Sequence, residues 1–180
     1  NPFDFEEFSK ISTDYPIKIE KARRTTNIIW VGRLTEQKGV DDLIKIIEIV
    51  NSTELNEMIS WNIVGDGEEK EKLINCSKKW KNVNYMGHID HNYLPSLYKN
   101  NNLLISTSKW EGFPYNILEA QALGLPVICY NISGCNDIID NKINGILVGN
   151  IKEFSEAINN FVKGSYKFVK IARYVRSKFN

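Results

Sequence analysis

The chain has 180 residues, 42% of them apolar and 25% charged, with a net charge of +1. These are the proportions of one ordinary globular domain with a proper core, and so small a net charge gives no electrostatic reason to expect a nucleic-acid partner. No apolar run approaches the roughly 20 residues of a membrane span, and the opening Asn1-Pro2-Phe3-Asp4-Phe5 lacks the basic and apolar regions of a signal peptide. The three cysteines, Cys76, Cys129 and Cys135, have neither metal-ligand spacing nor even pairing. They fit a reducing, cytoplasmic setting, with Cys129 as a small buried hydrophobe.

Residues 1–26 are polar and carry Pro2 and Pro16, which reads as a connector with one short helix at 5–11. A regular alternation follows over 27–163. Apolar runs at 27–31, 60–64, 83–86, 103–106, 126–130 and 145–148 read as strands. Between and after them, helices are predicted at 40–51, 68–79, 93–100, 116–123 and 151–162, with a helical turn at 136–140. The helix at 40–51 carries the stripe Val40, Leu43, Ile44, Ile47 and Val50, and the one at 68–79 packs through Leu73 and Ile74. Short apolar strands alternating with amphipathic helices predict a Rossmann-like, doubly wound α/β domain. Its sheet has six mostly parallel strands covered by helices on both faces. Ligands of such sheets bind beyond the carboxyl ends of the strands. The loops at 32–38, 65–67, 87–91, 107–115 and 131–135 all follow strands and so open on that edge. The segment 164–180 reads as a basic amphipathic helix, with Phe168, Ala172, Val175 and Phe179 on its apolar side. Such a helix either docks on the domain or lies on a membrane surface.

Three features carry candidate chemistry. Gly32-Arg33-Leu34-Thr35-Glu36-Gln37-Lys38-Gly39 follows the first strand and places two cations just before a helix. Arg33 offers a planar fork for phosphate and Lys38 a mobile point charge, a plausible diphosphate clamp. Glu111-Gly112-Phe113-Pro114-Tyr115-Asn116-Ile117-Leu118-Glu119 then sets two carboxylates eight residues apart around a helix start. Backbone amides near Asn116, Ile117 and Leu118 are positioned to receive a phosphate, while Glu111 and Glu119 can accept from sugar and ribose hydroxyls. Taken singly each has an ordinary alternative: solvated surface cations, or a carboxylate near a helix N-terminus worth roughly 0.3–1 kcal/mol. Gly65-Asp66-Gly67 lacks the third small residue of a dinucleotide fingerprint and reads as a tight turn. His88, Asp90 and His91 do not form a metal motif.

Together these residues resemble the group 1 (family 4) retaining glycosyltransferases. The likeness is carried in order by Val31-Gly32-Arg33-Leu34 with Lys38-Gly39, Val64-Gly65-Asp66-Gly67, Gly87, Glu111-Gly112-Phe113 with Leu118-Glu119-Ala120, Gly124-Leu125-Pro126-Val127 and Asn144-Gly145-Ile146-Leu147-Val148. The resemblance implies the C-terminal, donor-binding half of a two-domain GT-B architecture, needing no metal or other cofactor. It assigns Arg33, Lys38 and Glu111 to catalysis on the donor diphosphate and transferred sugar. Donor binding falls to Gly32, Gly112, Phe113, Asn116, Ile117 and Leu118, with Ile89 contacting the base through its main chain and Glu119 holding the ribose. The implied partners are a nucleotide-sugar donor, a missing N-terminal acceptor-binding domain and a glycan or lipid-linked acceptor. The setting is the cytoplasm or the inner face of the membrane. A non-catalytic nucleotide-sugar-binding module is the alternative. His91 stands near where some relatives carry an acidic residue, so the base stays unassigned.

Overall fold

The structure is a computed structural model that describes residues 3–10 and 25–179. The predicted connector therefore lies mostly outside the described residues. Within them the chain begins with α1 (Phe5–Lys10) and then runs β1 (Thr26–Val31), α2 (Val40–Asn51), β2 (Ile59–Val64), α3 (Lys70–Lys79) and β3 (Val83–Gly87). The second half runs α4 (Leu94–Asn100), β4 (Leu103–Ser106), α5 (Tyr115–Ala122), β5 (Val127–Tyr130), α6 (Cys135–Ile138), β6 (Gly145–Val148), α7 (Ile151–Val162) and α8 (Ile171–Phe179). The six strands form one sheet in the order β3-β2-β1-β4-β5-β6, and every pairing is parallel.

The strands are apolar on both sides because both faces are covered. Alternate residues of β1 divide between two cores. Ile28 and Trp30 join the face under α2 and α7, and Ile29 joins the face under α4, α5 and α8. On α2 the buried stripe is Val40, Leu43, Ile46, Ile47 and Val50. Ile46 thus takes the place expected of Ile44, which is only partly buried. On α3 the buried residues are Leu73 and Cys76. Ile74 sits at the margin.

The strand order reverses direction between β1 and β4, so a crevice opens beyond their carboxyl ends. Main-chain bonds extend the ladder past the strands on one side of it. Gly32 donates to the Val64 carbonyl at 3.1 Å, Leu34 to Asp66 at 2.9 Å and Gly65 to Gly87 at 2.8 Å. Gly65 has φ +145, and a Cβ there would stand 1.8 Å from the Gly32 carbonyl oxygen. The Gly65-Asp66-Gly67 segment is therefore a turn built for close backbone approach, as its sequence indicated.

The C-terminal helix starts later than its periodicity predicts. Lys170 has φ 60, a left-handed conformation that a helix cannot continue through. The helix accordingly spans Ile171–Phe179 and excludes Phe168. Ile171 and Val175 are buried against the face that holds α5. Tyr174 donates to Asp140 at 2.5 Å and Lys178 pairs with the same oxygen at 2.9 Å. The apolar side of α8 is turned inward. Among the described residues no helix is long and apolar enough to cross a membrane.

Gly65→Ala tests the close approach at the crevice. Both the collision and the backbone conformation oppose a side chain, and strain of this kind costs on the order of 1–3 kcal/mol. We expect a drop in the urea midpoint with an unchanged m-value, whereas an unchanged midpoint would show that the 32–34 and 65–67 loops are not pressed together.

Candidate functional site

The first half of the site is a strap between the loops after β1 and β4. Trp30 Nε1 donates to Thr107 Oγ1 at 3.0 Å, and that hydroxyl donates to the Lys38 carbonyl at 2.8 Å. Lys109 N donates to the Gln37 carbonyl at 2.9 Å, and Gln37 Nε2 to the Trp110 carbonyl at 3.1 Å. Between these contacts the chain makes a single 3-10 turn, Glu36–Lys38, closed by Gly39. Gly39 has φ +68, and a Cβ would lie 2.0 Å from the Thr107 carbonyl oxygen. The strap brings the Lys38 ammonium onto Glu111 Oε1 in a short ion pair, with both side chains largely buried. Two predicted residues 73 positions apart are thereby joined.

A second group surrounds a cavity of about 280 Å³ beyond β1, β2 and β3. Gly32, Arg33, Asp66, His88 and Ile89 line it. Arg33 is exposed and forms no ion pair among the described residues. Ile89 is buried except for this opening. Lys38 and Glu111 are not among the cavity's walls, so the two predicted cations occupy neighbouring stretches of the edge rather than one pocket. A larger cavity, about 590 Å³, lies beyond β5 and β6, among Lys109, Tyr130, Asn131, Asn150 and Lys152. It holds none of the predicted residues.

The third group is the start of α5. Asn116 Nδ2 donates to the Val31 carbonyl at 2.9 Å, which pins this helix to the end of β1. The expectation that the Ile117 and Leu118 amides await a phosphate is corrected here. Ile117 N donates to Asn116 Oδ1 at 2.9 Å and to the Pro114 carbonyl at 3.1 Å, and Leu118 N donates to Pro114 at 3.3 Å. Their side chains are buried in the core. The helix starts one residue earlier than predicted, so Pro114 takes up these donors. Tyr115 and Asn116 hold the first two amides, which have no intrahelical acceptor by helix geometry. Gly112 has open space at its Cα. Phe113 is exposed and meets Tyr115 and Phe179 edge-on at 5.4 and 6.2 Å.

Glu119 lies one turn further on and is 7% exposed. Its Oε1 is 2.8 Å from His91 Nε2, and Tyr98 donates to Oε2 at 3.2 Å. Burial pushes the Glu119 carboxyl above the usual carboxylate range, while the bonds from His91 and Tyr98 pull it back only in part. Burial also drives the Tyr98 hydroxyl well up, reinforced by the Glu119 charge. His91 and Tyr98 had no signal in the sequence as partners of Glu119, being 28 and 21 residues away from it. Thr107 left a faint one, as a polar residue closing an apolar strand. Among the described residues no group of three or more His, Cys, Asp or Glu side chains is placed to hold a metal ion.

The chain has relatives among known proteins. Residues 12–178 match the family model for glycosyl transferases group 1. An uncharacterized 41.2 kDa protein in the cps region of Klebsiella pneumoniae is 30% identical over 152 residues, 78% of this chain and 40% of that protein. The UDP-Gal:alpha-D-GlcNAc-diphosphoundecaprenol alpha-1,3-galactosyltransferase of Escherichia coli is 30% identical over 173 residues, 91% of this chain and 43% of the enzyme. Among solved structures, the apo lipopolysaccharide outer core galactosyltransferase WaaB superposes with a TM-score of 0.74 at 26% identity, over 94% of this chain and 50% of that one. The chain thus spans half or less of the length of these relatives.

The raised Glu119 carboxyl has a consequence for stability. It binds its proton more tightly in the folded than in the unfolded chain. Its ionised form therefore weakens the fold at pH above the folded pKa, and the penalty is relieved as the pH falls toward the unfolded value of about 4.3. Glu119→Gln removes the titration. Its denaturation midpoint should match or exceed that of the unaltered chain near neutrality, with the difference closing by about pH 4. A midpoint gap independent of pH would mean that Glu119 is not held above its ordinary range.

Proposed function

Since the chain belongs to the group 1 glycosyltransferases, we propose that it is the nucleotide-diphosphate-sugar donor-binding half of a retaining, metal-independent hexosyltransferase. The observation that carries this reading is the buried Lys38–Glu111 pair, held beside the helix start of α5 at the crevice of the sheet. The ammonium has three donors, and Glu111 Oε1 takes one. Two remain for phosphate oxygens. Glu111 Oε2 keeps its acceptor capacity for a hydroxyl of the transferred sugar. Arg33, exposed over the neighbouring cavity, supplies a second cation to the diphosphate, and the Tyr115 and Asn116 amides add partial positive charge. The base would enter the cavity beside Ile89, with the ribose turned toward Glu119.

In a retaining transfer the anomeric C–O bond of the donor breaks, and negative charge grows on the departing diphosphate. Cations already fixed in place favour that developing charge over the ground state. Lys38 is fixed because the strap and the Glu111 pair hold it before the ligand arrives. In this reading side-chain cations carry the charge that a metal would otherwise meet. The acceptor would be a glycan or lipid-linked saccharide, bound by an N-terminal acceptor domain. The name of the Escherichia coli relative, with its UDP-Gal donor and diphosphoundecaprenol-linked acceptor, supports both ends of that reaction. Alone, this chain should bind donor weakly and transfer little.

Calorimetric titration against uridine, guanosine and adenosine diphosphates tests the reading. We expect one of the three to bind. Arg33→Ala should weaken it without changing thermal stability, because the side chain is exposed. Lys38→Ala should weaken binding and also lower stability, because it leaves Glu111 buried without its partner. In a complete enzyme, loss of either cation should slow transfer on the order of 10²–10³-fold. No binding of any of the three at about millimolar concentration, where affinity is only about 4 kcal/mol, would reject the assignment.

A further inference from the structure

The Glu119 carboxylate is held from two directions, and the two partners differ in kind. Tyr98 comes from α4 and is wholly buried beneath it. His91 comes from the turn after β3 (His91–Tyr93) and has a side chain 59% exposed. The imidazole thus stands on the solvent side of the carboxylate, two residues beyond Ile89. The Phe8 ring of α1 packs against it, centroid to centroid at 5.5 Å. A carboxylate has about four acceptor positions. His91 and Tyr98 use one on each oxygen. One position per oxygen is left, which is the demand of two vicinal hydroxyls.

We propose that His91 is a positioning residue, which orients the Glu119 carboxylate for the ribose hydroxyls and ties the base-contacting loop to ribose recognition. The inference rests on Glu119 being the ribose ligand, as argued above, and assigns a role to a side chain that the family motifs leave open. Its physical basis is opposition to burial. A buried carboxyl tends to take up a proton, and a protonated one loses acceptor capacity toward a hydroxyl. The bond from His91 is the largest influence working against burial at Glu119, ahead of the bond from Tyr98. Both tautomeric and charge states that carry a proton on Nε2 can donate it. Charged groups on the other packed elements differ in how they are held. On α8, Tyr174 and Lys178 are drawn to Asp140, while Arg173 and Arg176 of that helix form no ion pair among the described residues, the Arg176 Nε being buried without a hydrogen-bond partner there. On α4, Lys99 is exposed. On α1, Lys10 pairs with Glu6. In the 88–91 loop, His88 lies 3.7 Å from Asp90.

The readout is the ratio of affinities for a ribonucleoside diphosphate and its 2′-deoxy counterpart, followed against pH. Titration of the phosphates cancels in that ratio, so it reports the hydroxyl contact alone. The whole chain is titrated calorimetrically with whichever of the uridine, guanosine and adenosine diphosphates binds best, and with the 2′-deoxy form. In the unaltered chain the ribose preference, about tenfold for a hydrogen bond to a charged group, should hold while Glu119 is ionised and fade as the pH is lowered and the carboxyl takes up its proton. In His91→Ala it should fade at a higher pH than in the unaltered chain. His91→Gln, which keeps a donor on a side chain of similar reach, should restore most of the preference. If His91→Ala follows the unaltered chain at every pH, the inference is wrong while the donor assignment stands. If the unaltered chain binds the nucleotides without any ribose preference, Glu119 is not the ribose ligand and the inference falls with it. If it binds none of them, the donor assignment itself is rejected.

Discussion

The candidate site depends on one constraint, the strap that ties the loop after β1 to the loop after β4. Thr107 is its centre, accepting from the Trp30 indole and donating to the Lys38 carbonyl. The first of these bonds is buried and the second partly so, and the buried one is costly to leave unmade because its partner group has no water to turn to. The strap crosses the crevice where the strand order reverses, so the same bonds that close the core also set the edge of the site. Without them Lys38 would be a long surface side chain with many rotamers. With them it arrives beside Glu111 already ordered, and the entropy of ordering it has been met in folding rather than in binding.

The rest of the edge follows from the sheet. Parallel strands buried on both faces have little freedom of register, and their carboxyl ends finish at one level. Loops that leave that level must run past one another. The close approaches of Gly39 to Thr107 and of Gly65 to Gly32 are where they do so. Asn116 completes the arrangement by donating to the last carbonyl of β1, so α5 starts against the same strand that feeds the Arg33 loop. The loops that carry Arg33, Lys38 and Glu111 are therefore placed by main-chain contacts, and their side chains add chemistry to positions already fixed.

Much of this was legible in the sequence, and the reason is periodicity. The six strands are short apolar runs bounded by glycine or polar turns, and each lies within about two residues of its expected bounds, the usual scatter of element ends. The motif loops were placed on one edge because they follow strands. What stayed hidden depends on contacts between distant residues. Apolar patterning located Glu119 on a helix but not the imidazole and phenol that hold it. The amides of Ile117 and Leu118 looked available because a helix start leaves its first donors unpaired. A start one residue earlier hands those donors to Pro114 and to the Asn116 side chain. At the C-terminus the heptad-like spacing of Phe168 with Val175 suggested a longer helix, and the left-handed Lys170 breaks it. A single backbone conformation of that kind leaves no trace in hydrophobic spacing.

The two acidic residues of the motif, eight positions apart, end in different electrostatic settings. Glu111 is matched to the Lys38 ammonium. Its partner is brought by the strap, so the pair is set as the chain folds. Glu119 is matched to a histidine and a tyrosine, the first standing on the solvent side and the second held neutral by burial. In the proposed reading the first carboxylate anchors a cation for the diphosphate, and a change in its charge would undo that anchor. The second would face neutral hydroxyls, for which acceptor capacity matters more than net charge. A permanent ion pair suits the first task. A carboxylate held by hydrogen bonds is sufficient for the second, and the chain distributes them accordingly along one edge of one sheet.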